Sequence, residues 1–422
     1  MNMKRVWLIT IGLLVCAAMV FAGGTRQESD VVQLTFRQGD PPAEVQGLFA
    51  AIEEFNASQN RIRVVVETVP WADALNQFVR EGQAGGGPDV LQLAFVWTKD
   101  LGSSGLLKNL DTIVRQSPPG AGIDDFLGTD LGFYNDSLFG IPWTVDTFVM
   151  AYRPDLLQSA GVNRFPDTWE EFLETAVRLS DQGRGQYGFG FPAGSASGGG
   201  MWFLANYYLW SRDKSFVEPD GRGGWRVGVT EADVAGAMRY FNQFFERGAS
   251  PRSLIGVNSW GDPELVGGLA RGDFAISFFP PPTFRNAASQ SSVPLNTAMI
   301  PRGPSRRVSH LGGRVLAVNE NTRHPDEAWE FLNYLLSRGV FERYTNFPAQ
   351  ESLLAELQFG PGEQGYADQL PHAITFKQYI ESPAPVSGMW DATNREFASV
   401  YSGQKTPEQA ARDLIRSLQE LL

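Results

Sequence analysis

A two-domain α/β fold is predicted for this chain by three observations. β-rich runs alternate with helical patterns along its first third, the 422 residues exceed what one hydrophobic core serves, and its one cysteine sits in an apolar leader, so disulfides cannot replace packing. Residues 31–36 read as a strand ending at Gln38-Gly39-Asp40. From 43 to 58, Val45, Leu48, Phe49, Ile52 and Phe55 recur at helical spacing. Residues 62–69 form a second strand and 73–81 a second helix, and Gly85-Gly86-Gly87-Pro88 leads into a strand at 89–95. This order predicts a sheet with helices on both faces.

The pattern changes after Phe139-Gly140-Ile141-Pro142-Trp143, where an extended segment through 147–152 reads as a first crossing between lobes. Thr168, with Glu171 three residues on, opens a helix with the apolar face Phe172, Ala176 and Leu179. Residues 183–200 are rich in glycine and serine around a short strand at 187–191, and the loop after it is expected to be mobile or ligand-facing. Helical patterns follow at 201–210 and 231–247, and a strand at 274–279 ends in Pro280-Pro281-Pro282. Strand character returns at 295–300 and 315–318. Helices are expected at 325–337 and 339–344, then a loop-rich interval, then a last helix capped by Thr406 with Pro407 in its first turn.

Lys4 and Arg5 precede an apolar run from Val6 to Phe21 that closes on Ala22, Gly23 and Gly24, the pattern of a secretory signal peptide cut after Ala22. Cys16 would suit a lipid anchor, but Val15 stands where a very small residue is needed and the apolar run continues past it. A periplasmic protein is therefore expected. Loss of Lys4 and Arg5 takes the 35 basic residues to 33 against 47 acidic ones, a net charge of −14, which argues against nucleic acid as a partner. No later segment is apolar for long enough to cross a bilayer.

Several motifs are set aside. Gly183-Arg184-Gly185-Gln186-Tyr187-Gly188 spells a dinucleotide fingerprint, but the strand follows it instead of preceding it. Ser211 and Lys214 form a serine-x-x-lysine pair at a helix end without its companion motifs, and Arg271-Gly272-Asp273 sits where a turn is needed. His310, His324 and His372 lack metal-site spacing, so neither a metal, a cofactor nor a catalytic triad is expected. Paired carboxylates stay open as the route to a carbohydrate-active enzyme.

Gly87-Pro88-Asp89-Val90, Gly105-Leu106-Leu107-Lys108-Asn109-Leu110, Leu138-Phe139-Gly140-Ile141-Pro142-Trp143, Met150-Ala151-Tyr152-Arg153, Gly312-Gly313-Arg314-Val315-Leu316-Ala317-Val318, Pro325-Asp326-Glu327-Ala328-Trp329 and Phe347-Pro348-Ala349-Gln350 occur in that order. In this the chain resembles the family 1 extracellular solute-binding proteins of ABC importers, the maltose-binding-like group. The resemblance implies a type II periplasmic-binding-protein fold: two discontinuous lobes, each a doubly wound mixed sheet with flanking helices, closing on a ligand about a hinge. The expected boundaries are 31–143 with 291–344 for the first lobe and 144–290 with 345–422 for the second.

A flat ring stacks on the C–H face of a sugar, and carboxylates, amides and arginine hydrogen-bond its hydroxyls. The rings singled out at strand ends or in loops are Trp71, Trp97, Trp143, Trp202, Trp260 and Trp390, with Trp143 placed by the resemblance beside the hinge. Each could equally be core. The polar candidates are Asp40, Asp146 and Arg314, with Glu67 and Asp391 behind them, and Gly312 and Gly313 for backbone approach. The expectation is a monomeric binding protein, not an enzyme, that takes a sugar or short oligosaccharide and hands it to the membrane subunits of an ABC importer. A polyol phosphate or an amine is the alternative ligand.

Overall fold

A computed structural model describes residues 31–422 apart from Ser197, Gly198, Thr345, Gln358 and Pro361. The leader expected at 1–22, with Cys16, lies outside the described residues. The first strand, Val32–Gln38 (β1), is followed by helix Gln46–Ser58 (α1), strand Ile62–Thr68 (β2), helix Trp71–Gln83 (α2) and strand Val90–Ala94 (β3). α1 buries Leu48, Ala51, Ile52 and Phe55, the one face that a 3.6-residue period provides. β2 alternates buried Ile62 and Val64 with exposed Arg63 and Val65, as an edge strand with one covered face should, whereas β3 is buried on both faces.

Strand Ile141–Asp146 (β4) stays in this sheet, and after Thr147 and Phe148 the chain enters a second sheet as Val149–Tyr152 (β5). Helix Trp169–Arg178 (α3) starts as expected, with the Thr168 side chain accepting from the Glu171 N–H. Strand Tyr187–Gly190 (β6), helices Met201–Trp210 (α4) and Glu231–Glu246 (α5), strand Phe274–Phe279 (β7) and strand Asn296–Ala298 (β8) complete the second lobe's sheet and much of its cover. The chain returns as Gly312–Val318 (β9), helix Pro325–Leu335 (α6) and strand Phe347–Pro348 (β10), and ends in helices Val386–Tyr401 (α7) and Pro407–Leu421 (α8).

The first sheet has six strands in the order β10-β4-β9-β3-β1-β2, and the second has four in the order β8-β5-β7-β6. β1 pairs parallel with both β2 and β3, while β9 runs antiparallel to β3 and β4. In the second sheet β7 pairs parallel with β6 and antiparallel with β5. Both sheets are mixed, as the family resemblance implies.

Two strands fall in the opposite sheet from the one implied by the expected boundaries. β8, placed with the first lobe, pairs with β5 in the second, and β10, placed with the second lobe, pairs with β4 in the first. Both are short edge strands without a hydrophobic run of their own, so their neighbours alone decide where they sit. The second crossing thus falls between β8 and β9 and the third after β10, since Tyr366 beyond it donates to the Phe279 carbonyl oxygen of β7 at 3.0 Å. α7 lies in the interval expected to be loop-rich. Gly388, Asp391, Thr393 and Asn394 give it poor intrinsic propensity, and it is stabilised instead by burial of Met389, Ala392, Phe397 and Val400.

Candidate functional site

The geometry of the first sheet gathers chemistry at one edge. β1, β3 and β4 all run the same way, so Gly39-Asp40, Phe95–Trp97 and Asp146 emerge together at their carboxyl ends, and antiparallel β9 begins there with Gly312, Gly313 and Arg314. Open α/β sheets take ligands at this edge. Trp71 reaches it from the first turn of α2.

At the centre lies a charge cluster of buried Asp40 with half-buried Arg314 and Asp146. Arg314 donates from Nη2 to Asp40 Oδ1 at 2.8 Å and from Nε to Asp40 Oδ2 at 3.2 Å, and its Nη1 donates to Asp146 Oδ2. Burial pushes the Asp40 carboxyl up, but the Arg314 guanidinium with the donors of Trp71 and Gln92 outweighs it, holding the group below the ordinary carboxylate value. Asp146 shows the same balance, with His310 and Arg314 overcoming burial. Burial lowers the Arg314 guanidinium and the two carboxylates more than reverse that, raising it well above its usual value.

The cluster continues through the crossings. Asp146 Oδ1 lies 3.5 Å from His310 Nε2, and His310 Nδ1 hydrogen-bonds the Tyr207 hydroxyl of α4. Burial raises the Tyr207 phenol well above its usual value, so it stays protonated. Thr147 and Ser309 tie the first crossing to the second by a 2.6 Å hydroxyl contact. A polar line therefore runs from the first lobe's strand ends into a helix of the second.

Aromatic rings flank this line on both lobes. In the first, half-buried Trp71 and Trp97 meet with centroids 5.3 Å apart, and Arg314 Cζ lies 5.8 Å from the Trp71 ring. In the second, Phe148 of the crossing packs against Trp260 at 4.8 Å and His310 at 5.0 Å, and Phe203 contacts Trp260 at 5.5 Å and Trp390 at 5.1 Å. Trp260 and Trp390 are half-buried. Glu44, also partly exposed, feels the charges of Asp40 and Arg314, and burial, then Asp40, raise its carboxyl.

Two expected ligand rings are corrected to core. Trp143 is fully buried, stacks on Tyr344 at 4.7 Å and donates to the Leu335 carbonyl oxygen at 2.9 Å, because its strand position points it beneath the sheet. Trp202 is equally buried, sandwiched against Phe216, Phe376 and Trp390. Trp202 and Trp390 lie on helices instead of loops. The glycines also have a packing reason. A Cβ at Gly312 would lie 2.5 Å from both Asp146 Oδ1 and His310 Nε2, and one at Gly313 would lie 2.0 Å from the Thr144 carbonyl oxygen. Glu67 pairs with buried Arg37 away from the cluster, and no partner of Asp391 is found among the described residues.

Buried Gln92, Tyr344, His310, Phe148 and Phe203 pack behind the charge cluster and its rings, and partly exposed Glu44 lies beside Asp40; none of these was singled out from sequence. Gln92 did carry a signal, a lone amide within the apolar strand Val90–Ala94. The Gly/Ser-rich loop is fastened to α7, since Trp390 donates to the Gly199 carbonyl oxygen at 2.8 Å and the Asn394 amide donates to the Ala196 carbonyl oxygen at 3.3 Å. A separate recess of about 170 Å³, lined by Trp210, Lys214, Arg306, Gln378 and Tyr379, is not part of this arrangement.

Two α/β lobes joined by crossings, with aromatic and charged groups at the strand ends beside them, define a two-lobe binding protein of the type II periplasmic class. Residues 38–340 match the family model described as bacterial extracellular solute-binding protein, and the chain belongs to that family. It is 21% identical over 414 residues to a binding protein of Brucella abortus, covering 96% of this chain and 95% of that one. It is 21% identical over 402 residues to the maltooligosaccharide ABC transporter solute-binding lipoprotein of Streptococcus pneumoniae, covering 89% and 87%. The maltose-bound MalE3 of T. maritima shares the fold, with a TM-score of 0.79 at 21% identity over 93% of this chain and 100% of that one. Family members are binding proteins rather than enzymes, and among the described residues no helix is long and apolar enough to cross a membrane.

Proposed function

We propose that the chain captures an uncharged sugar or short oligosaccharide between its lobes and delivers it, chemically unchanged, to the membrane subunits of an ABC importer, working as an exported monomer. The observation that carries this is the paired aromatic lining: half-buried Trp71 and Trp97 beside Arg314 on one lobe, half-buried Trp260 and Trp390 packed on buried Phe203 on the other. Such rings suit the C–H faces of a pyranose, and a guanidinium suits its hydroxyls. The relative named for maltooligosaccharide transport and the maltose-bound structure of the same fold support this ligand class.

Charge argues the same way. A phosphate guest would need cationic donors to spare, yet Arg314 is already balanced by Asp40 and Asp146. Glycoside hydrolysis needs a protonated acid and a second, free carboxylate; among the described residues only Glu44 has a raised carboxyl, and Asp40 and Asp146 are both tied to Arg314. A thermal-shift screen against mono- and oligosaccharides, polyol phosphates and amines tests the reading, because a guest that binds only the folded form raises the melting temperature. A response to an amine or a phosphate with none to any saccharide would overturn the ligand class. Mass analysis after long incubation would overturn the non-enzymatic reading if a shortened product appeared.

A further inference from the structure

We infer that Asp40 is a positioning residue that never touches the guest: it locks the Trp71 indole and the Arg314 guanidinium into one preassembled platform, and that platform is the first lobe's contact surface. This rests on the sugar-binding reading only for the identity of the guest.

The carboxylate of Asp40 has no capacity left. Oδ1 accepts from Trp71 Nε1 at 3.0 Å and Arg314 Nη2 at 2.8 Å, and Oδ2 accepts from Gln92 Nε2 at 2.9 Å, Tyr344 Oη at 3.1 Å and Arg314 Nε at 3.2 Å. A carboxylate offers roughly four lone-pair sites, so these donors saturate it. The residue is 4% exposed, which leaves no face for a guest. Its backbone is fixed as firmly, since the Gln38 side chain accepts from the Asp40 N–H at 2.7 Å and donates to the Asp40 carbonyl oxygen at 3.0 Å.

The two groups it holds are the opposite case. Trp71 and Arg314 project from different elements, α2 and β9, and their sequence separation gives neither a reason to meet the other. Asp40 draws both to one carboxylate. The indole is pressed so flat on the backbone beneath it that a Cβ at Gly39 would lie 2.7 Å from its ring. Trp71 stays half-buried, and Arg314 retains guanidinium N–H bonds not directed at Asp40 or Asp146. A fixed ring beside a fixed donor is what recognition of a sugar's apolar face and rim hydroxyl requires, and fixing both beforehand spares the ordering cost at binding.

The test uses the whole chain with Asp40→Asn, Trp71→Phe and the double variant. In the ligand-free protein the indole N–H resonance that disappears in Trp71→Phe reports the bond to Asp40, and it moves in Asp40→Asn while the other indole resonances hold. With maltotriose as probe, Asp40→Asn and Trp71→Phe each weaken binding by about tenfold, and the double variant loses less than the product of the two single losses, because part of the effect of Asp40 acts through Trp71 and the rest through Arg314. An unmoved Trp71 resonance in a folded Asp40→Asn protein, or losses that multiply in full in the double variant, would overturn the assignment, the latter by showing that Asp40 does not act through Trp71. Absence of maltotriose binding to the unaltered protein would count against the ligand class alone, because the ligand-free spectrum still decides the role of Asp40.

Discussion

Arg314 holds two carboxylates from different strands, meeting buried Asp40 at 2.8 Å beyond the end of β1 and half-buried Asp146 at the end of β4. The pair Asp40 and Arg314 is thus both the floor of the candidate cleft and a fold-defining contact. Replacing Arg314 by Met keeps the stem's volume but strands two carboxylates in a low-dielectric site. Loss of about 3–5 kcal/mol of unfolding free energy is expected, the cost of breaking a buried pair from one side. Urea denaturation monitored by circular dichroism measures it, and a change below 1 kcal/mol would mean that the pair is effectively solvated.

The pH dependence of the unaltered protein follows from the same cluster. Asp40 and Asp146 have folded-state values below their unfolded ones, so the unfolded chain binds more protons in the acid range. Their stabilisation is complete above the unfolded carboxylate value and is lost as pH falls through the depressed folded values. In Arg314→Met burial, the largest cause acting on each carboxyl, is opposed only by the Trp71 and Gln92 donors at Asp40 and by His310 at Asp146, so both carboxyl values move up. The deficit in melting temperature of the variant against the unaltered protein should therefore shrink as pH falls from 7 to 4. Parallel curves would refute the linkage.

The alternation of strand and helix was readable along the first lobe because each element there has its own hydrophobic period, as α1 and β2 show. Asp40, Asp146 and Arg314 were readable as candidates because each stands at the end of a strand whose limits the apolar pattern reveals. What was not readable is direction. Trp143 and Trp97 both adjoin strand ends, yet one points under the sheet and the other to its edge, and a strand's two faces look alike when both are apolar. α7 was missed for another reason: its poor helix formers are overruled by tertiary burial, which a local pattern does not carry. Tyr344 and His310 meet the cluster through contacts more than 150 positions long in sequence, which no local motif encodes.

Two tryptophans should separate core from cleft. Trp143→Ala removes a fully buried ring and is expected to cost about 3–5 kcal/mol of stability. Trp260→Ala removes a half-buried ring from a loop and is expected to cost far less, while weakening binding of a responsive saccharide by at least about tenfold. Denaturation and titration on both variants measure the two effects. Unchanged affinity in Trp260→Ala would remove that ring from the site.

Glu44 supplies a prediction of opposite sign to that for the aspartates. Burial and the neighbouring Asp40 raise its folded carboxyl value, so ionisation works against the fold, and its contribution is favourable below the unfolded carboxylate value and lost as pH rises through the raised one. Glu44→Gln should melt higher than the unaltered protein at pH 7 and at the same temperature near pH 4, where both side chains are uncharged. A gain that persists unchanged at pH 4 would have to come from something other than charge.

Gly39→Ala tests how much the cleft depends on one close approach. The new methyl would sit 2.7–2.8 Å from two atoms of the Trp71 ring, inside any real carbon contact, so either the strand end or the indole must shift. The strand end is held by the Gln92 Oε1 acceptor on the Gly39 N–H at 2.7 Å and by the Gln38 clamp on Asp40, whereas Trp71 is half-buried at the first turn of its helix. The ring should therefore yield. The melting temperature is expected to fall by only a few degrees, as about 1 kcal/mol or less would produce in a chain of this size. Saccharide affinity should drop by about tenfold or more, since the displaced ring no longer meets its guest in register with Arg314. Near-native affinity alongside a large drop in melting temperature would show that the strand end gives way first, and that Trp71 keeps its place by packing on α2 alone.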